Sequence, residues 1–454
     1  MTTVSLPRRP LLLIVGVLCI ASAWTLGDRE LCAQAVVQSI GGISIDSHGV
    51  VRQPTLADSQ LFLQRVRDEM RAAPEELHGQ AEMRKVSLRQ LQTEIAKSIE
   101  TNQPIPADVQ FLAGLQRIEY VMVYPESQDI VLAGPGEGWT VNNMGTVVGV
   151  TSGEPVLLLD DLLVGLRTAS AAREVGISCS IDPTEQGIQA LRRFLDRQKT
   201  FRPGVTDGMK QALGPQQITV RGVPTDSHFA RVLVAADYRM KRYAMSLEPA
   251  PISGMPSFIE LLAKSGQRLG NAMPRWWLAC DYQPLARSED GLAWQLRGTS
   301  VKAMTEDDFV SADGTVEQSG RQNSIAKKWA DRFTVKFDEL QRRDTVFGQL
   351  RDLMDLAIVA ALIDHEDLLG VAGCELPLLY GTDPRLDIVH GQAPQTVDTE
   401  ASFLKRGRNY IVTASGGVQI GSWEVVQHEA VVRTELDELL LHADPNEQSE
   451  WRWD

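Results

Sequence analysis

The chain has 454 residues, too many for one ordinary hydrophobic core, so two or three domains are expected. Its composition, 43% hydrophobic and 23% charged, is that of a globular protein. A formal charge of −14, spread along the chain, repels phosphate and argues against nucleic acid or an anionic membrane surface as a partner.

Arg8 and Arg9 precede a ten-residue apolar run, Leu11 to Ile20, and Ala21-Ser22-Ala23 and Ala33-Gln34-Ala35 each form a small-residue cleavage site. This pattern reads residues 1–35 as a signal peptide and predicts an exported protein, periplasmic or extracellular. The run is shorter than the ~20 residues of a membrane span, so membrane attachment is expected only through an uncleaved signal anchor. Cys179, Cys280 and Cys374 sit in apolar surroundings and read as buried free thiols rather than disulfide partners.

Residues 40–52 alternate around Asp46-Ser47-His48-Gly49 and predict a hairpin. Helices are expected near 56–72, with Leu56, Leu61, Leu63, Val66 and Met70 as the apolar face, near 86–100 and from Ala107 to Leu115. With the hairpin they make up an N-terminal region, 36–116. Strands at 118–124 and 129–133 flank a turn-like Pro-Glu-Ser-Gln-Asp. Gly134-Pro135-Gly136-Glu137-Gly138 resembles a phosphate loop, but Trp139-Thr140-Val141 continues as strand where a phosphate site needs a helix N-terminus. Strand and helix then alternate through a first α/β domain at 117–201 and a second at 202–370. Within the second, strands are expected at 217–221, 243–247 and 275–282, and a pair at 291–297 and 299–304 across Gly298. Residues 346–363 form a helix apolar on nearly all sides, hence buried. A C-terminal extension, 371–454, holds a hairpin at 409–421, a helix at 422–441 and a frayed acidic end. The whole reads as an α+β fold, layered sheets with helices on one face, more helical toward the C-terminus.

Five ordered blocks, "VYPESQDIVLAGPGEGW", "ISCSIDPTEQG", "RGVPTDSHFARVLVAADYRMKRYAMSLEP", "MPRWWLACDYQPL" and "FGQLRDLMDLAIVAALI", resemble a family of secreted proteins of unknown function from planctomycete-type bacteria. The resemblance implies an exported bacterial protein and brings no chemistry with it.

Within the third block, Phe229, Val232, Leu233, Ala236 and Met240 recur at helical spacing and form the expected buried face of a helix over 227–241. Asp226 and Ser227 are its N-terminal caps, and Asp237 and Lys241 are a surface pair. His228, in the first turn beside Asp226, is the one weak candidate for a general base, although closing the turn is the favoured role. Arg231, Tyr238 and Arg242 are expected to form an exposed stripe able to hold an anionic group or a protein partner. In "MPRWWLACDY", Trp276 and Trp277 point to opposite faces of a strand, and the outward ring, taken as Trp277, is a candidate to stack on a sugar or peptide. Asp364-His365-Glu366-Asp367 ends the buried helix; adjacent residues diverge, so no metal is expected there, and no motif implies a cofactor. Asp160-Asp161 reads as a helix-start charge pair. No H-E-x-x-H, G-x-S-x-G or Walker pattern occurs. The reading that follows is a non-catalytic binding or envelope-associated structural protein, with a protein or envelope polymer as partner. The alternative is a secreted hydrolase acting on polysaccharide or peptide. The test between them is whether His228, Asp226, Arg231 and Arg242 converge on one pocket.

Overall fold

The computed structural model describes residues 38–40, 42–197, 204–265, 272–310, 316–318, 324–406, 408–412, 415–443 and 450–454. The expected signal peptide, 1–35, lies outside the described residues. The architecture is α+β, with 45% helix and 23% strand. The chain from Val37 to Asp454 makes one compact unit.

The elements that build the site are helix α1 (Leu159–Val175), strand β1 (Ile177–Pro183), β2 (Gln216–Arg221), helix α2 (His228–Ala244), β3 (Ala272–Tyr282), β4 (Gly298–Val310), helix α3 (Thr345–His365) and β5 (Ser415–Ile420). A ten-stranded sheet runs in the order 38–40, 43–45, 50–52, 396–397, β2, β1, β5, β3, β4, 316–318. Each of the four segments expected from the sequence, 36–116, 117–201, 202–370 and 371–454, supplies strands to this one sheet. A seven-stranded sheet collects 431–432, 286–287, 293–295, 120–124, 129–136, 81–87 and 452–453.

Strand β5 is slotted between β1, to which it runs antiparallel, and β3, to which it runs parallel. Glycine makes the slot possible. A Cβ on Gly416, whose φ is +143°, would sit 1.6 Å from the Trp276 carbonyl oxygen, and one on Gly417 would sit 1.9 Å from that of Cys179.

Several local readings change for tertiary reasons. The segment 243–247 is not a strand: α2 continues to Ala244, and the Tyr243 hydroxyl donates to Asp344. Strands 293–295 and β4 do not pair across Gly298. The first joins the seven-stranded sheet and β4 joins β3. Nor is 409–421 a hairpin, because 408–412 pairs with 402–406 while β5 enters the large sheet. The helix expected at 422–441 is two short ones, Ser422–Gln427 and Glu435–His442. The C-terminus is not frayed at its last residues: Trp451 is buried and Arg452–Trp453 pairs with Lys85–Val86. Leu61, assigned to a buried face, is exposed in the helix Leu56–Glu69. The 43–45 and 50–52 strands do pair around the Asp46–Gly49 turn, as expected.

C-terminal to β4 the chain is mostly helical, and α3 lies at its centre, buried from Thr345 to Ile363 except at Gln349. Its charged residues are partnered. Arg351 donates through Nε and Nη2 to Asp352 at 3.0 and 2.8 Å, through Nη1 to Glu154 at 3.0 Å, and through Nη2 to the Gln116 carbonyl at 3.0 Å. Arg117 pairs with Asp355 at 3.3 Å, and the Tyr282 hydroxyl donates to the same carboxylate. Cys179, Cys280 and Cys374 are all free; burial pushes the Cys280 and Cys374 thiols up to about 12 and about 11. No helix among the described residues is long and apolar enough to cross a membrane.

Ile358 is fully buried in α3. Ile358→Asp places an unpaired carboxylate there and is expected to cost on the order of 4 kcal/mol, read as a large loss of denaturant midpoint. An unchanged midpoint would remove α3 from the core.

Candidate functional site

The sheet face that packs against α2 decides where the candidate residues point. On β1, Cys179 and Ile181 are buried beneath α2, and Ser178, Ser180 and Asp182 line the opposite face. Because its neighbours cover it on all sides, every residue of α2 except His228 and Arg239 is buried.

That burial overturns the exposed stripe. Arg231, Tyr238 and Arg242 are 4%, 7% and 7% exposed. Arg231 donates to the Ser227 carbonyl at 3.2 Å. Arg242 donates to Glu248 at 2.8 Å and to the Tyr238 hydroxyl at 3.3 Å, and reaches Glu400 at 3.5 Å. Arg239 completes the network, donating to Asp344 at 3.0 Å, to both oxygens of Glu248 and to the Tyr243 hydroxyl. The Asp237–Lys241 pair is likewise interior: Lys241 donates to Asp237 at 2.9 Å and to the Ile181 carbonyl at 3.1 Å. Burial pushes the Asp237 carboxyl up to about 6, against the pull of Lys241.

The N-cap of α2 is Ser227, whose hydroxyl accepts from the Ala230 amide. Asp226 turns instead to His390, which it meets at 3.0 Å, and His390 also meets Asp387 at 3.3 Å. Hydrogen bonds to Asp387 and Asp226 raise the His390 imidazole above its usual range.

His228 does not serve the turn. Its Nδ1 lies 2.8 and 3.1 Å from the two carboxylate oxygens of Asp161, in the first turn of α1. In the neutral ring, a proton on Nδ1 given to Asp161 leaves Nε2 as an acceptor, with Gln349 Nε2 at 3.5 Å. Asp161 is 67 residues away in sequence, so a pattern search that weighs neighbours does not find it.

His228, Asp161, Gln349 and Asp352 line one cavity of about 200 Å³, whose other walls include Phe62, Phe111, Met144 and Leu356. Burial holds the Asp352 carboxyl well above its ordinary range despite Arg351, and the nearby Asp355 and Glu154 charges add to the effect. Three arginines, Arg351, Arg117 and Arg342, pair with the three carboxyls of this cluster, Glu154, Asp352 and Asp355. Burial, with Asp161 next, also raises Asp160, which accepts from the Val389 amide at 3.2 Å. The cavity thus offers an imidazole oriented by Asp161 and a carboxyl whose Oδ2 has no hydrogen-bond partner. Of the residues expected to converge, only His228 lines this cavity; Arg242 lies in the network on the far part of α2 and Asp226 in the His390 cluster.

The two tryptophans separate as expected. Trp276 is buried, edge-on to Phe258 and Trp329 with ring centroids 5.0 and 5.2 Å apart. Trp277 is half-buried on the other face, in a groove of about 680 Å³ floored by Gly416–Gly417 and bordered by Ser178, Ser180, Thr219, Arg221, Arg275 and Gln419. Asp364, His365 and Asp367 are exposed where α3 ends, and His365 meets Glu366 at 2.9 Å. Among the described residues no group of three or more His, Cys, Asp or Glu side chains is arranged to hold a metal ion.

With this geometry in view, a domain of a family described as protein of unknown function (DUF1598) is found at residues 179–258. It spans most of β1, all of β2 and α2, and so contains Asp226, His228, Arg231, Tyr238 and Arg242. No curated protein and no solved structure matches the chain.

Because Arg242 is held by two carboxylates, Arg242→Glu is expected to destabilise the protein by about 3 kcal/mol through uncompensated buried charge. Chemical denaturation measures it, and a loss below a few tenths would return Arg242 to the solvated face.

Proposed function

We propose that this is an exported bacterial protein that binds an envelope polysaccharide and performs no chemistry on it. One observation carries the reading: Trp277 lines a groove together with hydroxyl, amide and guanidinium side chains and the carboxylates Asp182, Glu306 and Glu424. An aromatic plane supplies apolar contact to a sugar ring, while serine, threonine, glutamine and arginine supply hydrogen bonds to its hydroxyls. Gly416 and Gly417 put bare backbone in the groove's lining. The Arg8-Arg9 pair, the apolar run to Ile20 and the small-residue cleavage sites support export. A hydrolase acting on the same polymer has less support, because the groove and the His228 cavity share no lining residue.

Affinity electrophoresis through gels containing soluble polysaccharides tests the binding. Retardation by at least one polymer is expected, lost in Trp277→Ala with the melting temperature nearly unchanged. Equal retardation of the variant and the parent would refute the groove. Export is tested separately by N-terminal sequencing of the native protein. The expected first residue follows Ala23 or Ala35, and a native pool beginning at Met1 inside the cell would contradict it.

A further inference from the structure

We propose that the cavity beside His228 is a binding site for a small, neutral, largely apolar molecule carrying a hydroxyl group, a phenol or compact alcohol, held by His228, Gln349 and Asp352. The site is distinct from the Trp277 groove and does not rest on it.

The polar atoms define the ligand. Asp352 is 4% exposed, and its Oδ2 has no hydrogen-bond partner. Gln349 Oε1 is also buried without a partner. Native interiors rarely leave such atoms unsatisfied, and both belong to residues lining the same cavity. His228, fixed through Nδ1 by Asp161, presents Nε2 as a third polar atom. Burial raises the Asp352 carboxyl, and its Oδ1 is taken by Arg351, so Oδ2 is the oxygen left to meet a ligand. A hydroxyl is both donor and acceptor: its hydrogen suits Asp352 Oδ2 or Gln349 Oε1, and its oxygen can accept from the Gln349 amide.

Charge narrows the class. A carboxylate ligand would meet the Asp161 carboxylate. An ammonium ion would find no unpaired carboxylate, since both oxygens of Asp161 face the His228 ring and Asp352 is already paired with Arg351. The Arg231 guanidinium, close enough to feel Asp161 and Asp160, offsets their charge further. A neutral molecule fits this balance. The remaining walls, Phe62, Phe111, Met144 and Leu356, suit a ring or a compact hydrocarbon body. A volume of about 200 Å³ has room for roughly six to ten non-hydrogen atoms, judged against the ~30 Å³ share of one water.

The probe is p-cresol, titrated into the full chain by isothermal calorimetry with benzoate and benzylamine as charged controls. Saturable binding of p-cresol at one site is expected, with no saturation by either control over the same range. His228→Leu should weaken p-cresol by about tenfold, the change expected from losing one hydrogen bond. Met144→Trp, which fills the cavity from a half-buried wall, should abolish binding while the protein melts near the parental temperature. The second variant keeps the test decisive if His228→Leu fails to fold. Absence of saturable p-cresol binding to the parent, binding that survives Met144→Trp, or benzoate or benzylamine binding as tightly as p-cresol would each overturn the proposal.

Discussion

A helix that is apolar on nearly every side carries Arg351, Asp352 and Asp355 into the interior, and the protein is arranged around giving those three charges partners. An ion buried without a partner costs several kcal/mol, so each must be met by a group from elsewhere in the chain. The partners come from both sheets. Gln116 and Arg117 precede the strand 120–124 of the seven-stranded sheet, Tyr282 ends β3 of the ten-stranded sheet, and Glu154 lies on the loop before α1. Helix α3 therefore fixes how the two sheets approach each other. Burial raises the Asp352 carboxyl despite Arg351, and its Oδ2, which has no hydrogen-bond partner, belongs to a residue on the wall of the His228 cavity.

The same logic governs α2. A helix with one apolar stripe normally turns its charged face to water, and the spacing of Arg231, Tyr238 and Arg242 suggests such a face. Here that side is covered too, and its charges are absorbed by carboxylates from other segments: Glu248 just beyond the helix, Asp344 before α3 and Glu400 from the loop preceding 402–406. The buried network positions α2 so that its N-terminus meets the first turn of α1. That meeting brings His228 to Asp161 and Asp226 to His390. The residues that looked most able to bind a partner thus hold the fold together, and the one assigned to a turn lines a cavity.

The two faces of the large sheet divide the chemistry. On one side Trp276 joins the aromatic cluster with Phe258 and Trp329, and Cys179 lies beneath α2. On the other, Trp277 and the alternate residues of β1 line the groove. Strand alternation produces this split without any further specification. The groove also depends on β5, which reaches the middle of the sheet only because Gly416 and Gly417 present no side chain to β3 and β1.

Sequence alone determined what local free energy determines. The hairpin at 43–52, the capping of α2 by Ser227, the opposed tryptophans and the apolar character of α3 follow from turn chemistry, side-chain alternation and hydrophobic spacing within a few residues. The α+β class follows from the same rhythm. What the tertiary structure decided was the fate of polar residues and of short strands. Whether Arg242 is solvated or buried depends on Glu400, 158 residues away; whether His228 serves a turn or a cavity depends on Asp161, 67 residues away. Strands 293–295, β4 and β5 found distant partners instead of their neighbours because a ladder in a large sheet buries more surface than an isolated hairpin does. Periodicity records which side chains avoid water, but a buried charge is permitted only by its partner, and that partner has no fixed distance along the chain.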